Sequence, residues 1–272
     1  MLQPKFIKTT SLSDTWFRVL YTIVDQGKQF IIDRGSNAGQ KRCELDYITI
    51  HITTPDKGEM LPKVNPQLGF PDPVDENYLN DYLPYLMTGS EKEGESYTYG
   101  QRICKELFSF PKDMNKHVRE SKILINDTAV YNNKNIFYEN PDSDIINPDY
   151  FLNQMELMIW TYKNKGYRNN QMTLQVAKPT DMLLQDPPCL RHIDTRIQDD
   201  KLHFFPYFRS WDAFGGLPAN LAAIEMMKQY CADQIGVGNG EIIASSKGLH
   251  LYDYVFEISE AIRGHQLVNS YI

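Results

Sequence analysis

A chain of 272 residues with 42% hydrophobic, 12% aromatic and 23% charged residues has ordinary globular composition, and can bury a substantial core without disulfides or metals. Its formal net charge of -7 argues against broad binding to nucleic acid or anionic membrane, although a few local arginines can still build a pocket for a small anion. The four cysteines, Cys43, Cys104, Cys189 and Cys231, are widely spaced with no Cys-x-x-Cys or Cys/His cluster, which argues against a structural zinc site or a dense disulfide framework.

Residues 1–8 carry no signal-peptide apolar core, and no run approaches transmembrane length, so a cytoplasmic location is the expectation. Asn126-Asp127-Thr128 fits a glycosylation acceptor and, without a secretory signal, is read as chance. Trp16, Val19, Leu20 and Ile23 recur at helical spacing and predict an amphipathic helix over 14–26. Phe30-Ile31-Ile32-Asp33 reads as a strand running into a turn at Arg34-Gly35-Ser36-Asn37-Ala38-Gly39. Ile48, Ile50 and Ile52 alternate with Thr49 and His51, the period of a half-buried strand. Residues 54–76, rich in proline, predict a long ordered excursion, and the Asn/Asp-rich stretch 131–147 a surface loop.

Asn147-Pro148 predicts a helix start, with Phe151, Met155, Met158 and Tyr162 on one face of the helix that follows. Residues 172–178 and 202–208 read as strands. Leu221, Ile224, Met227 and Cys231 mark a helix over 221–235, and residues 241–245 and 249–256 read as late strands. No repeat, low-complexity tract or linker breaks the chain, which is expected to form a single mixed domain over 1–272.

Two clusters carry chemistry. In Pro187-Pro188-Cys189 two prolines stiffen the approach to a cysteine that precedes Arg191-His192. By itself such a cysteine is an ordinary structural residue. A thiol becomes a useful nucleophile where positive charge stabilises its thiolate, which Arg191 and arginines brought near by folding would supply. The second cluster is Phe208-Arg209-Ser210-Trp211-Asp212 followed by Gly215-Gly216-Leu217-Pro218-Ala219-Asn220. Arg209 and Ser210 suit a phosphate clamp, a guanidinium fork beside a hydroxyl. Paired glycines allow close approach of a ligand to the backbone or form a plain turn, and from the residues alone Asn220 reads first as a helix cap.

From Pro187 to Tyr252 the chain resembles the active-site half of the thymidylate synthase family, whose relatives include pyrimidine nucleotide hydroxymethylases. Pro188-Cys189 matches the family's nucleophile, and Arg209-Ser210-Trp211-Asp212 its Arg-Ser-x-Asp motif, 20 residues later. Gly216-Leu217-Pro218-Ala219-Asn220 matches Gly-Leu-Pro-x-Asn, and His250-Leu251-Tyr252 matches His-x-Tyr, 30 residues beyond Asn220. Tyr99-Gly100-Gln101-Arg102 resembles a further Tyr-Gly motif, so the motif-bearing part spans about 95–256. The wording from Phe208 to Tyr254 is similar to compact archaeal-type members.

The resemblance implies an α+β, sheet-rich subunit that dimerises through its sheet face. It implies that Cys189 adds to carbon 6 of the pyrimidine of deoxyuridylate (dUMP), making carbon 5 nucleophilic toward a one-carbon unit. The donor would be 5,10-methylenetetrahydrofolate or a methanopterin-type analogue, and the product thymidylate. Arg209 and Ser210 would hold the phosphate. Asp212 would meet the base edge through its backbone, beside Gly216, and Asn220 would read the base. His250 and Tyr252 would bond the deoxyribose hydroxyl. Arg34 resembles the family's phosphate-binding arginine loop, and Arg168 falls near an arginine supplied by the neighbouring subunit; either is as readily a solvated surface arginine.

The sequence departs from the family at Leu190, where histidine is common, and at Gly248, where an acidic residue is usual. The family's catalytic glutamate has no clear match; Glu59, Glu76 and Asp81 are its candidates. A hydroxymethylase, ending with water rather than hydride, and a nucleotide-binding homologue without catalysis are the rival readings. A Cys-His hydrolase fits less well, because His192 is too close in sequence to serve Cys189 as a base.

Overall fold

The computed structural model describes residues 1–33, 37–91, 93, 95, 97–108, 128–142 and 150–267. Asn147-Pro148, Arg34 and the glycosylation-like Asn126-Asp127 fall outside these residues.

Strand β1 (Pro4–Thr9) leads to helix α1 (Leu12–Gln26), capped by Ser11, whose side chain accepts from the Asp14 N–H. Its buried face carries the periodic set read from the sequence, Trp16, Val19, Leu20 and Ile23, and extends one turn earlier to Leu12. The helix stops at Gly27, where a side chain would meet Cys43 Sγ at 2.5 Å and the Ile23 carbonyl at 2.6 Å, so the strand that carries Cys43 packs hard against the helix end. Strands β2 (Lys28–Ile31), β3 (Lys41–Leu45) and β4 (Tyr47–Ile52) follow. The excursion over 54–76 contains one 3-10 turn, Pro66–Leu68. Then come helices α2 (Glu76–Met87) and α3 (Tyr99–Cys104), strand β5 (Glu106–Phe108), helix α4 (Thr128–Tyr131), and strands β6 (Phe137–Glu139) and β7 (Tyr150–Leu152).

Two expectations change here. The stretch read as a loop over 131–147 contains β6. Phe151 belongs to β7 rather than to a helix, and helix α5 (Gln154–Lys165) starts at Asn153, whose side chain accepts from the N–H groups of Met155 and Glu156. That asparagine meets the cap requirement that the sequence reading assigned to Asn147.

Strands β8 (Thr173–Gln175), β9 (Leu190–Gln198), β10 (Lys201–Phe208) and β11 (Trp211–Asp212) precede the long helix α6 (Gly216–Ile235). β12 (Gly238–Ser246), β13 (Leu249–Tyr252) and α7 (Phe256–Arg263) complete the described chain. The strand expected over 249–256 thus ends at Tyr252, where a 3-10 turn begins.

The strands form an α+β arrangement with a six-stranded sheet ordered β1-β4-β12-β10-β9-β8, a four-stranded sheet β11-β13-β3-β2 and a small sheet β5-β7-β6. The large sheet is mixed: β1 with β4 and β10 with β12 run parallel, and the other pairs antiparallel. Its alternate residues Ile48, Ile50, Ile52, Leu202, Phe204, Ile242 and Ala244 are fully buried, on the face covered by α6 and α1. The opposite residues, including Thr49, Phe205, Tyr207 and Ile243, are half-buried. Among the described residues no helix is long and apolar enough to cross a membrane.

Candidate active site

Cys189 stands at the end of the segment joining β8 to β9, and that segment is tied down by arginines. Asp181, in its 3-10 turn, is 1% exposed and accepts from Arg102 at 2.9 Å and from the Lys178 N–H at 2.8 Å, with Arg191 at 3.3 Å. Burial alone would raise this carboxyl; the Lys178 N–H and the charges of Arg102 and Arg191 overcome it and hold it below the usual carboxylate range. Arg191 also donates to the Pro188 carbonyl at 3.1 Å. Arg209, at the end of β10, donates its backbone N–H to the Cys189 carbonyl at 2.8 Å and its Nε to the Pro188 carbonyl at 3.1 Å. Its Nη2 reaches the Pro187 carbonyl and, at 3.3 Å, the exposed Asp186 carboxylate.

A cavity of about 490 Å³ opens above this loop, lined by Cys189, Arg209, Ser210, Asp212, His250 and Tyr252 together with Asn37, Arg42 and Asp186. Burial pushes the Cys189 thiol up; Arg209, Arg42 and Arg191 pull the other way and Asp186 reinforces the rise. The expectation that arginines hold this cysteine ionised is therefore corrected, because burial is the larger effect. Cys43 and Cys104 are buried and pushed up to about 12, and Cys231 higher still, so Cys189 is the accessible thiol.

Arg42 was not singled out from the sequence. It alternates on β3 with the buried Cys43 and Leu45 and reaches into the cavity. Its Nη2 donates to Ser210 Oγ at 2.9 Å and to the Gly248 carbonyl at 3.1 Å, and pairs with Glu44 at 2.7 Å. Gly248, the position where the resemblance expected an acid, has φ +81°, and a side chain there would stand 3.1 Å from the Glu44 carboxyl group. Glu44 fills that space from the adjacent strand. Burial raises its pKa, and Arg42 opposes the rise.

The Gly248 carbonyl also accepts from His250 Nδ1 at 2.9 Å. A carbonyl only accepts, so Nδ1 carries the proton and Nε2 is a bare acceptor. Burial and then the Arg42 charge push this histidine down to about 3, so the ring is neutral at physiological pH. Nε2 is buried with no hydrogen-bond partner. Tyr252 packs edge-on against the ring at 4.7 Å, and its Oη accepts from Asn37.

The helix start at 216 alters the reading of Asn220. The Asp212 carboxylate accepts from the N–H groups of Phe214, Gly215 and Gly216, at 3.1, 3.1 and 2.8 Å, and so supplies the N-terminal cap. Gly216 lies tight against it, with room of only 3.2 Å between an added Cβ and Asp212 Cβ. Asn220 is thus inside α6 and not a cap. Its Oδ1 accepts from Trp211 Nε1 at 2.9 Å and its Nδ2 donates to Tyr82 Oη at 2.8 Å.

Asn220 lines a second cavity of about 320 Å³ with Tyr82, Tyr85, Tyr97, Tyr99 and Glu95. The two cavities adjoin, since Tyr97 Oη donates to the Asp186 carbonyl at the rim of the first. Burial pushes Tyr97 up to about 12 and Tyr82 and Tyr99 up as well, so these are neutral hydroxyls.

Of the remaining sequence candidates, Arg168 is exposed and lines a separate cavity of about 510 Å³ with Arg196. Glu59, Glu76 and Asp81 are exposed and line neither of the adjoining cavities. Among the described residues no group of three or more His, Cys, Asp or Glu could hold a metal ion.

A family model described as thymidylate synthase matches residues 114–264. Two archaeal proteins bearing the name "Putative thymidylate synthase" are similar over nearly the whole chain. That of Methanococcoides burtonii is 25% identical over 265 residues, 96% of this chain and 96% of its own. That of Methanosarcina barkeri is 25% identical over 258 residues, 95% of this chain and 94% of its own. A thymidylate synthase of Corynebacterium aurimucosum is 30% identical over 114 residues, 41% of this chain and 42% of its own.

Proposed function

The chain belongs to the thymidylate synthase family, and from that premise we propose that it converts deoxyuridylate to thymidylate with a reduced pterin as one-carbon donor. The observation that carries the reading is the meeting of an accessible thiol, Cys189, with Arg209, Ser210, His250 and Tyr252 in one cavity.

Arg209 and Arg42 make one end of that cavity positive, and Ser210 Oγ adds a donor, so the nucleotide phosphate binds there. His250 Nε2 accepts from a deoxyribose hydroxyl beside Tyr252. Asn220 reads the base. Arg34 and, from a second copy of the chain, Arg168 complete the phosphate contacts. Once deprotonated, Cys189 Sγ forms a bond to carbon 6 of the uracil, and the electron pair of the C5–C6 double bond moves to carbon 5 and the carbon-4 oxygen. Desolvation that raises the resting thiol also makes the thiolate a stronger nucleophile when it forms.

The tyrosines of the second cavity suit a flat heteroaromatic ring: Tyr82, Tyr85 and Tyr97 line it beside Asn220 with aromatic and hydroxyl groups. They would hold the pterin, either 5,10-methylenetetrahydrofolate or a methanopterin-type analogue, which supplies a one-carbon unit at the methylene level and the reducing power. The half-buried outer face of the six-stranded sheet, with Phe205, Tyr207 and Ile243, suits a homodimer interface.

The test is incubation of purified protein with deoxyuridylate and each pterin, followed by mass analysis of the nucleotide. Gain of a methyl group supports the reading. Gain of a hydroxymethyl group would make water rather than hydride the final reactant, and no carbon-5 change with any reduced pterin would refute methyl transfer.

A further inference from the structure

The side chain that could read a base, Asn220, has an amide whose two ends look alike in shape but are opposite in hydrogen bonding. Which end faces a ligand decides whether the amide matches uracil or cytosine. Two neighbours touch it. Tyr82 Oη lies 2.8 Å from Nδ2, yet a hydroxyl can rotate to donate or accept, so it would suit either orientation of the amide. Trp211 Nε1 lies 2.9 Å from Oδ1, and an indole N–H can only donate.

Trp211 itself is held firmly. It is 2% exposed, lies flat on Phe208 with ring centroids 3.9 Å apart and planes 6° from parallel, and sits on β11 paired with Leu249 of β13. A flipped Asn220 would set an amide N–H against the N–H of this buried indole, leaving two facing donors without an acceptor between them. After its bonds to Trp211 and Tyr82, the unflipped amide keeps one acceptor site on Oδ1 and one N–H on Nδ2, in fixed order.

We propose that Trp211, acting through its indole N–H, locks the Asn220 amide and thereby sets the preference for uracil over cytosine. The inference rests on Asn220 reading the base. Uracil offers a ring N–H beside a carbonyl, which meets the free Oδ1 and Nδ2 correctly. Cytosine offers a bare ring nitrogen beside an amino group, and meets the locked amide lone pair to lone pair and donor to donor. Trp211 is a positioning residue in this account and does not itself touch the nucleotide.

Calorimetric titration with deoxyuridylate and deoxycytidylate measures the affinity ratio without depending on turnover. Trp211→Phe keeps the ring and its stacking and removes the donor; the preference for deoxyuridylate should fall at least tenfold. Site-directed incorporation of benzothienylalanine at 211, which puts sulfur in place of the N–H with the ring shape intact, should do the same and serves if Trp211→Phe folds poorly. Tyr82→Phe should change the ratio less than twofold, since that neighbour adapts. In an Asn220→Asp background Trp211→Phe should also shift the ratio less than twofold, because a carboxylate has two equivalent oxygens and no orientation to lose. An unchanged ratio in both Trp211 variants, with Asn220→Asp still moving it, overturns the lock while leaving Asn220 as the reader. A ratio indifferent to Asn220→Asp as well overturns base reading by Asn220 itself.

Discussion

The guanidinium of Arg42 holds the hydroxyl of Ser210 at 2.9 Å, joining a strand near the start of the chain to the Arg209-Ser210 turn. The same Nη2 reaches the Gly248 carbonyl, which fixes the tautomer of His250. One side chain therefore ties Ser210, proposed to meet the phosphate, to the carbonyl that orients His250, proposed to meet the sugar.

Replacing it with a neutral amide, Arg42→Gln, should weaken deoxyuridylate binding by about 1–3 kcal/mol, roughly five- to 150-fold, through loss of charge-assisted bonds. The nucleoside lacking phosphate should lose much less. Calorimetry on both ligands checks this, and equal losses would assign Arg42 to the sugar end alone. Glu44 is left half-buried without its partner, so adding Glu44→Gln should recover part of any lost stability.

Cys189→Ala should abolish release of hydrogen from carbon 5 of deoxyuridylate while nucleotide binding persists. The pH dependence has a definite sign. Burial raises the Cys189 thiol, so the thiolate fraction keeps growing above the ordinary thiol pKa of about 8.5. Iodoacetamide labelling of Cys189, followed by peptide mass analysis, should accelerate with pH through that value. A rate that levels off well below it would mean that Arg209, Arg42 and Arg191 outweigh burial after all.

The loop that carries Cys189 depends on Asp181. Asp181→Ala leaves Arg102 and Arg191 without their buried counter-charge and should cost about 3–5 kcal/mol of stability. Because the folded carboxyl is held below its ordinary pKa of about 3.9, its contribution is full above that pH and fades as pH falls through the folded value. Denaturant titrations of wild type and Asp181→Ala should accordingly differ at pH 7 and converge at strongly acidic pH. A constant difference across that range would detach the effect from the carboxylate charge.

What the sequence disclosed follows from whether a residue's role is local. Helix α1 and strands β4 and β10 were legible because each buries one face and so writes a period into the chain. Pro188-Cys189 and Arg209-Ser210 were legible as short motifs. Arg42 was not, because its value comes from the pairing of β3 with β13, which sets Glu44 opposite His250. Tyr82 meets Asn220 across 138 residues of chain, and no spacing rule reports that. Asn220 looked like a cap because the true cap, the Asp212 carboxylate, acts from outside the helix. For Cys189 the arginines could be read from the sequence and the burial could not.

Arg168 bears on assembly. Within one chain Arg168 is exposed beside Arg196, in a cavity apart from the one that holds Cys189. It can serve a phosphate only by reaching the site of a second copy. Sedimentation should therefore give a particle near twice 31.6 kDa. Cys189→Ala and Arg168→Ala should each be inactive or nearly so, for different reasons: one lacks the nucleophile, the other the guanidinium contributed across the interface. In a mixed dimer one of the two sites then carries both mutations and the other neither. Unfolding and refolding the two variants together at equal amounts makes half of the dimers mixed, each with one intact site, so about a quarter of wild-type activity should return. Refolding either variant alone should restore nothing. A monomer in sedimentation, or a dimer in which Arg168→Ala keeps wild-type affinity for deoxyuridylate, would leave Arg168 as a surface arginine and the site complete within one chain.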